Sequence, residues 1–154
     1  MMPYAPLGTL YAASMLRTRG FDVALHDSML ACNEEEIGPA IRAHQPRVVV
    51  IYDDQFNYLT KMCLSRMREA AFRMAEIAKE SGCVVIVFSS DATDHLKEYF
   101  RHNVDFIICG EAELTLCELA QSLLRNPSKR ISDLHGIAYF EEGRVVQTPR
   151  RELM

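Results

Sequence analysis

Val48, Val49, Val50 and Ile51 follow one another with no polar residue between them. Branching at Cβ favours extended backbone. A strand that is apolar on both of its faces has to be covered on both, which is the habit of parallel sheets. Two further apolar runs, residues 83–88 and 104–109, repeat the signal. Residues 21–26 alternate apolar and polar side chains, as a half-covered strand does. Four parallel strands are therefore expected near 21–26, 47–52, 83–88 and 104–109.

The stretches between them carry helical spacing. Leu7, Leu10, Tyr11, Ser14 and Met15 fall on one face of a helix that Gly20 should stop. Asn33 can cap a helix over 34–44, with Gly38-Pro39 delaying it. A long stripe through Leu59, Met62, Cys63, Met67, Ala70, Met74, Ile77 and Ala78 predicts a helix over 59–80, ended by Gly82. Shorter helices are expected over 94–102 and 111–124, the latter closed by Asn126-Pro127. Residues 136–148 read as a β-hairpin turning at Glu142-Gly143, at an edge or a partner surface. Alternating strands and helices imply right-handed crossovers. The expected class is α/β, a flavodoxin-like (Rossmann-like) parallel sheet with helices on both faces.

A chain of 154 residues suits one domain with a real core. Its net charge of −4 and pI near 5.7 argue against a nucleic-acid grip, which wants a concentrated basic face. No apolar run reaches the roughly 18 residues of a membrane helix. The start carries no basic segment followed by an apolar one. Five cysteines, at 32, 63, 83, 109 and 117, lie mostly within strand or helix patterns and suggest a reducing cytoplasm without disulfides. None shows Cys-x-x-x-Cys-x-x-Cys spacing, so the chain carries no motif for the iron–sulfur cluster that binds S-adenosylmethionine. The stripe of Met62, Met67 and Met74 reads as core filler.

In open α/β sheets ligands sit at the carboxyl ends of strands. Those ends are His26-Asp27, Tyr52-Asp53-Asp54, Ser89-Ser90-Asp91 and Gly110-Glu111, and the last three are the candidates. The run from Val104 to Cys109, then Gly110-Glu111-Ala112-Glu113 and Thr115-Leu116-Cys117-Glu118-Leu119, resembles the closing strand and helix of the cobalamin-binding N-terminal domain of class B radical-SAM enzymes. Further landmarks follow in order. They are Pro6-Leu7-Gly8, Leu10-Tyr11-Ala12-Ala13, Gly20-Phe21-Asp22-Val23, Asp91-Ala92-Thr93, Gly136-Ile137-Ala138-Tyr139 and Thr148-Pro149. They cover nearly the whole chain, and proteins of the magnesium-protoporphyrin IX monomethyl ester oxidative cyclase type show the same order.

The resemblance implies cobalamin held by Pro6, Leu7, Gly8, Tyr52, Asp53, Ser89, Ser90, Gly110 and Glu111. Ser89-Ser90 stands where a Gly-Gly pair is common, and Tyr52-Asp53 where a small hydroxyl residue is frequent. No Asp-x-His-x-x-Gly is present to ligate cobalt. Asp133-Leu134-His135 comes nearest, and His135 reads as a turn residue. Residues 1–130 would form the cobalamin-binding-like domain, and 131–154 a hairpin and linker toward a radical-SAM barrel. That barrel would hold the 4Fe–4S cluster, the S-adenosylmethionine and the chemistry, and no catalytic residue is expected in this chain.

Other readings of the same residues stay open. Glu111 and Glu113 can simply complement the dipole of a helix start, or touch a following domain. Asp53-Asp54 with Ser89-Ser90 matches part of a response-regulator receiver, without its acidic pair or its Lys. A domain that binds no cofactor and acts as an interaction platform is a third option. Proteins of the resembled family begin with a strand in the middle of the sheet, and no such run precedes Leu7. Two repairs are expected: residues 21–26 pair directly with 47–52, or a homodimer covers the gap. Either would narrow the crevice and leave cobalamin weakly bound or absent.

Overall fold

The computed structural model describes residues 5–53, 64–125 and 130–151. At its centre is one sheet whose spatial order follows chain order: β1 (Val48–Tyr52), β2 (Val84–Phe88), β3 (Phe106–Ile108), β4 (Ile137–Glu141) and β5 (Arg144–Gln147). β1, β2 and β3 are parallel, with Val48 opposite Val84 and Ile86 opposite Phe106. β4 returns antiparallel to β3, and β5 antiparallel to β4. The expected hairpin therefore extends the sheet at one edge. Glu142 (φ 48°) and Gly143 (φ 81°) both take positive φ in its two-residue turn, the backbone that suits the twist of a tight hairpin.

Strand periodicity divides the interior in two. Val49, Val85, Val87 and Ile107 face one core with Phe72, Ala75 and Ala78 of α3 (Leu64–Glu80). Ile86, Phe88 and Ile108 face the other, against Ala12 and Leu16 of α1 (Leu7–Thr18) and Leu116 and Leu119 of α6 (Ala112–Leu124). This two-sided burial is why the parallel runs contain no polar alternation. On the α3 side, the Phe72 ring lies flat on His102 at 3.8 Å and edge-on to Tyr99 at 4.9 Å.

Local signals account for most helix ends. Gly20 turns at φ +78° and lets the Phe21 amide reach back to the Leu16 carbonyl at 3.1 Å. Asn33 is extended, and its side chain accepts from the Glu35 amide at 3.0 Å. One 3-10 turn (Glu34–Glu36) then precedes α2 (Ile37–His44), whose first turn absorbs Gly38-Pro39 because its amides lack helical partners in any case. Gly82 (φ +79°) ends α3, and the Cys83 amide donates to the Ala78 carbonyl at 3.0 Å. The parts of the expected 59–80 helix at Leu59, Met62 and Cys63 lie outside the described residues, as do Asp54 and Asn126-Pro127.

Three expectations need correction. Residues 21–26 form no strand, and among the described residues the sheet ends at β1. Phe21 and Val23 pack against the second core, while Arg17 Nη2 donates to the Val23 carbonyl at 2.7 Å. With no neighbour at ladder distance, alternation alone does not make a strand, and direct pairing with β1 does not occur. The buried face of α1 is carried by Ala12 and Leu16, whereas Leu7, Leu10 and Tyr11 are exposed. The expected helix over 94–102 starts earlier and is broken, giving α4 (Ser90–Asp94) and α5 (Leu96–Arg101) with His95 at φ −122° between them.

β3 starts at Phe106 because Asp105 adds a side-chain bond to the ladder. Its amide donates to the Val85 carbonyl at 3.0 Å, and its carboxylate accepts from the Val85 amide (2.8 Å) and from Lys79 Nζ (2.9 Å). At the far end Gly136 (φ +76°) accepts from the Cys109 amide and leaves no room for a side chain. A Cβ there would stand 3.0 Å from the Cys109 carbonyl oxygen. Gly82 has the same backbone but open space. Gly136→Ala should therefore destabilise by about 2–3 kcal/mol and Gly82→Ala by only about 1 kcal/mol. Urea unfolding of the two variants measures the difference, and equal losses would refute the steric reading.

Candidate functional site

The three parallel strands end along one edge, where the chain passes through Tyr52-Asp53, Ser89-Ser90 and Cys109-Gly110. Tyr52 packs its ring 4.7 Å from that of Phe88, and its hydroxyl donates to Glu113 Oε1 at 3.3 Å. That bond ties the end of β1 to the first turn of α6, two strands away. Glu113 thus does more than complement a helix dipole. The Asp53 amide donates to the Phe88 carbonyl and prolongs the ladder by one step.

Ser89 is buried and extended, and its Oγ accepts from the Ala92 amide at 2.9 Å, capping α4. Its hydroxyl is thereby used within the loop, while Ser90 is exposed. Asp91, 9% exposed, turns inward. It accepts from Arg68 Nε and Nη2 at 2.7 and 2.6 Å and from the Tyr99 hydroxyl at 2.9 Å. The Arg68 guanidinium holds this carboxyl below the usual carboxylate range. Burial, then the bond to Asp91, pushes the Tyr99 phenol up. Sequence reading placed Asp91 at a strand end and among the landmarks, gave it no partner, and passed over Arg68 and Tyr99. They lie 23 and 8 residues from it, and no local spacing announces the network.

Gly110 sits at φ +99°, with nothing within 4 Å of where a Cβ would project. Glu111 precedes α6 in an extended conformation and makes no side-chain cap. Cys109 is buried, and burial pushes its thiol up, as befits a packing residue. Pro6 stands before α1, its carbonyl accepting from the Leu10 amide at 2.9 Å, with Leu7 exposed beside it.

A largely apolar cavity of about 630 Å³ opens from this edge into the fold. Pro6, Tyr52, Asp53 and Ser89 are in its wall; Leu7, Gly8, Ser90, Gly110 and Glu111 are not. The nine residues selected from sequence thus separate into a cavity group and a rim group. A receiver-like arrangement finds little support: the Ser89 hydroxyl is committed to α4, and Cys109 stands where a Lys would be required. Among the described residues no three His, Cys, Asp or Glu side chains are grouped to hold a metal ion, and no helix is long and apolar enough to cross a membrane.

No family model and no curated protein matches the sequence. Solved structures do. OxsB, a cobalamin-dependent S-adenosylmethionine radical enzyme solved with aqua-cobalamin and S-adenosylmethionine bound, gives a TM-score of 0.74 at 19% identity, over 99% of this chain and 20% of that one. TsrM from Kitasatospora setae, a radical S-adenosylmethionine methyltransferase solved with cobalamin and a 4Fe–4S cluster, also gives 0.74, at 16% identity, over 99% of this chain and 27% of that one. At such identities the likeness is one of fold. The chain has the α/β, Rossmann-like architecture of a segment of these enzymes, and spans only a fifth to about a quarter of their length.

Asp91→Asn would leave Arg68 in a partly closed site with only its longer, more exposed contact to Glu98 at 3.3 Å, and should cost about 1–3 kcal/mol near neutral pH. Because the folded-state pKa of Asp91 is depressed, the pair's contribution is full above the unfolded value of about 3.8 and drains as pH falls through the folded pKa. Chemical denaturation across that acid range should show a steeper loss for the wild-type chain than for the variant. Parallel acid profiles would show that the pair contributes nothing.

Proposed function

We propose that this chain is the cobalamin-binding domain of a radical-SAM enzyme, of the methyltransferase or oxidative cyclase kind, and is not catalytic by itself. The observation that carries the reading is the open carboxyl edge. Gly110 leaves clear space at the end of β3, Ser90 is exposed at the end of β2, and the cavity descends beside Tyr52. A bulky ligand with a narrower tail needs that combination of flat rim and deep slot. Ser89 does not obstruct it, since its side chain is folded back onto Ala92. Likeness of fold to OxsB and TsrM, both solved with cobalamin, lends support, as does the order of landmarks along the sequence.

In this reading Leu7, Gly8, Ser90, Gly110 and Glu111 lie around the corrin rim, and Pro6, Tyr52, Asp53 and Ser89 line the way for the nucleotide tail. The Tyr52–Glu113 bond fixes the rim across the sheet. Bound cobalamin supplies a cobalt centre that carries a group or electrons for chemistry done elsewhere. The 4Fe–4S cluster and S-adenosylmethionine belong to a barrel in a longer protein, reached through residues 131–154, in the cytoplasm. Leu7 (67% exposed), Leu10 and Tyr11 (60% exposed) present an apolar stripe on α1 that suits contact with such a domain.

Visible-absorbance titration with hydroxocobalamin tests the assignment. The 154-residue chain should give a saturable but weak difference spectrum, because the slot beside β1 is open. Ser90→Trp, which alters an exposed side chain, should weaken it about tenfold further without changing the circular dichroism. Unchanged affinity in Ser90→Trp would place the ligand off this edge, and no spectral change in either protein would refute the reading.

A further inference from the structure

Helix α5 is only six residues long and is bracketed by histidines, His95 at its N-cap and His102 at its C-cap. So short a helix is not held by its own propensity. Tyr99, 2% exposed, anchors its middle in the core, and the two histidines tie its ends to α3. The two ties have opposite chemistry.

At the start of α5, Arg68 Nη2 stands 3.2 Å from both Nδ1 and Nε2 of His95. A nitrogen equidistant from the two at that range cannot lie in the ring plane, because Cε1 would be in its way. It lies over the face of the ring. A neutral imidazole offers such a cation its π electrons, whereas an imidazolium repels it. His95 Nδ1 donates to the Asp91 carbonyl at 2.9 Å and is 3.4 Å from Asp91 Oδ1. That same Oδ1 accepts from Arg68 Nη2 at 2.6 Å. Glu98 accepts from Arg68 Nη1 at 3.3 Å, and the Tyr99 hydroxyl donates to Asp91 Oδ2. One carboxylate oxygen therefore stands between a permanent cation and a ring that becomes a cation on protonation.

At the other end the His102 ring lies flat on Phe72 at 3.8 Å, with Nδ1 3.2 Å from Glu76 Oε1. Arg73 reaches the second oxygen of Glu76 only at 3.5 Å. Both neighbours of His102, an aromatic face and a carboxylate, favour a charged ring. A proton gained at His102 strengthens its tie to α3. A proton gained at His95 sets that ring against Arg68.

We propose that α5 is a proton-operated lever. As pH falls, protonated His95 draws Asp91 Oδ1 away from Arg68, and α4 and the start of α5 loosen while the far end stays hinged at His102 on Phe72. The turn that moves with α4 is Ser89-Ser90, at the carboxyl edge of the sheet. Imidazoles ordinarily change charge between about pH 8 and 5, where guanidinium groups and most carboxylates keep theirs, so the lever turns on the histidines alone. The inference does not rest on cobalamin.

Amide hydrogen exchange of the ligand-free 154-residue chain, measured at about pH 7.5 and about pH 5.5 and corrected for the intrinsic pH dependence of exchange, reads the lever. The His95 and Tyr99 amides donate to the Asp91 and His95 carbonyls, and the His102 amide to the Tyr99 carbonyl. The first two should exchange at least about fivefold faster at the lower pH, and the third should not. His95→Gln, at a side chain 42% exposed, removes the change of charge and should abolish the difference at positions 95 and 99 without altering the circular dichroism. Equal exchange at the two pH values, or a difference that survives in His95→Gln, overturns the proposal. So does loosening at His102 together with His95, since α5 would then open as a whole and have no hinge.

Discussion

Everything in this fold depends on β2 being buried from both sides. Val85, Ile86, Val87 and Phe88 point alternately into two separate cores, so neither face of the sheet can be left to water. Burying one such side chain is worth about 1.5–3 kcal/mol, and that gain is available only if helices return over each face in turn. Right-handed crossovers follow from the geometry. Strand ends then gather along one edge and helix starts along the same edge. The candidate site is a by-product of that topology before any residue in it is chosen.

What the topology does not supply is rigidity at the edge, and side chains provide it. Arg68, Asp91 and Tyr99 lock the loop after β2 to α3 and α5, while Tyr52 and Glu113 join β1 to α6. Asp105 and Lys79 do the same work at the opposite edge. The rim that would meet a ligand thus stands on partly buried ion pairs and hydrogen bonds. An Asp–Arg pair of this kind is a poor source of net stability compared with apolar packing, and a good way of fixing one geometry.

The parts legible in the sequence were those written in local chemistry. The β-branched run at 48–51, the glycine stops at 20 and 82, the Asn33 cap and the hairpin at Glu142-Gly143 each act over a few residues, and each is found where expected. Contacts between distant residues left no such trace. Nothing near Asp91 announces Arg68, and nothing near Tyr52 announces Glu113. The α1 face was misjudged for a related reason. Large apolar residues at 7, 10 and 11 outweigh the small Ala12 in any periodicity count, yet close packing against α6 needs the small residue inside.

Residues 21–26 are the instructive failure. Their alternation is a strand's alternation, and a strand requires a partner at about 4.8 Å. Here the nearest backbone that could serve, β1, stands across a cavity of about 630 Å³. Local propensity and global packing disagree at this place and agree almost everywhere else, the pattern expected where function or strain overrides local preference. The same gap bears on the carboxyl edge, since Tyr52 belongs both to the wall of the cavity and to the bond that braces the rim. A ligand tail that entered past Pro6 and Tyr52 would therefore touch the strand that braces the rim, so that filling the cavity and ordering the edge would be one event and not two.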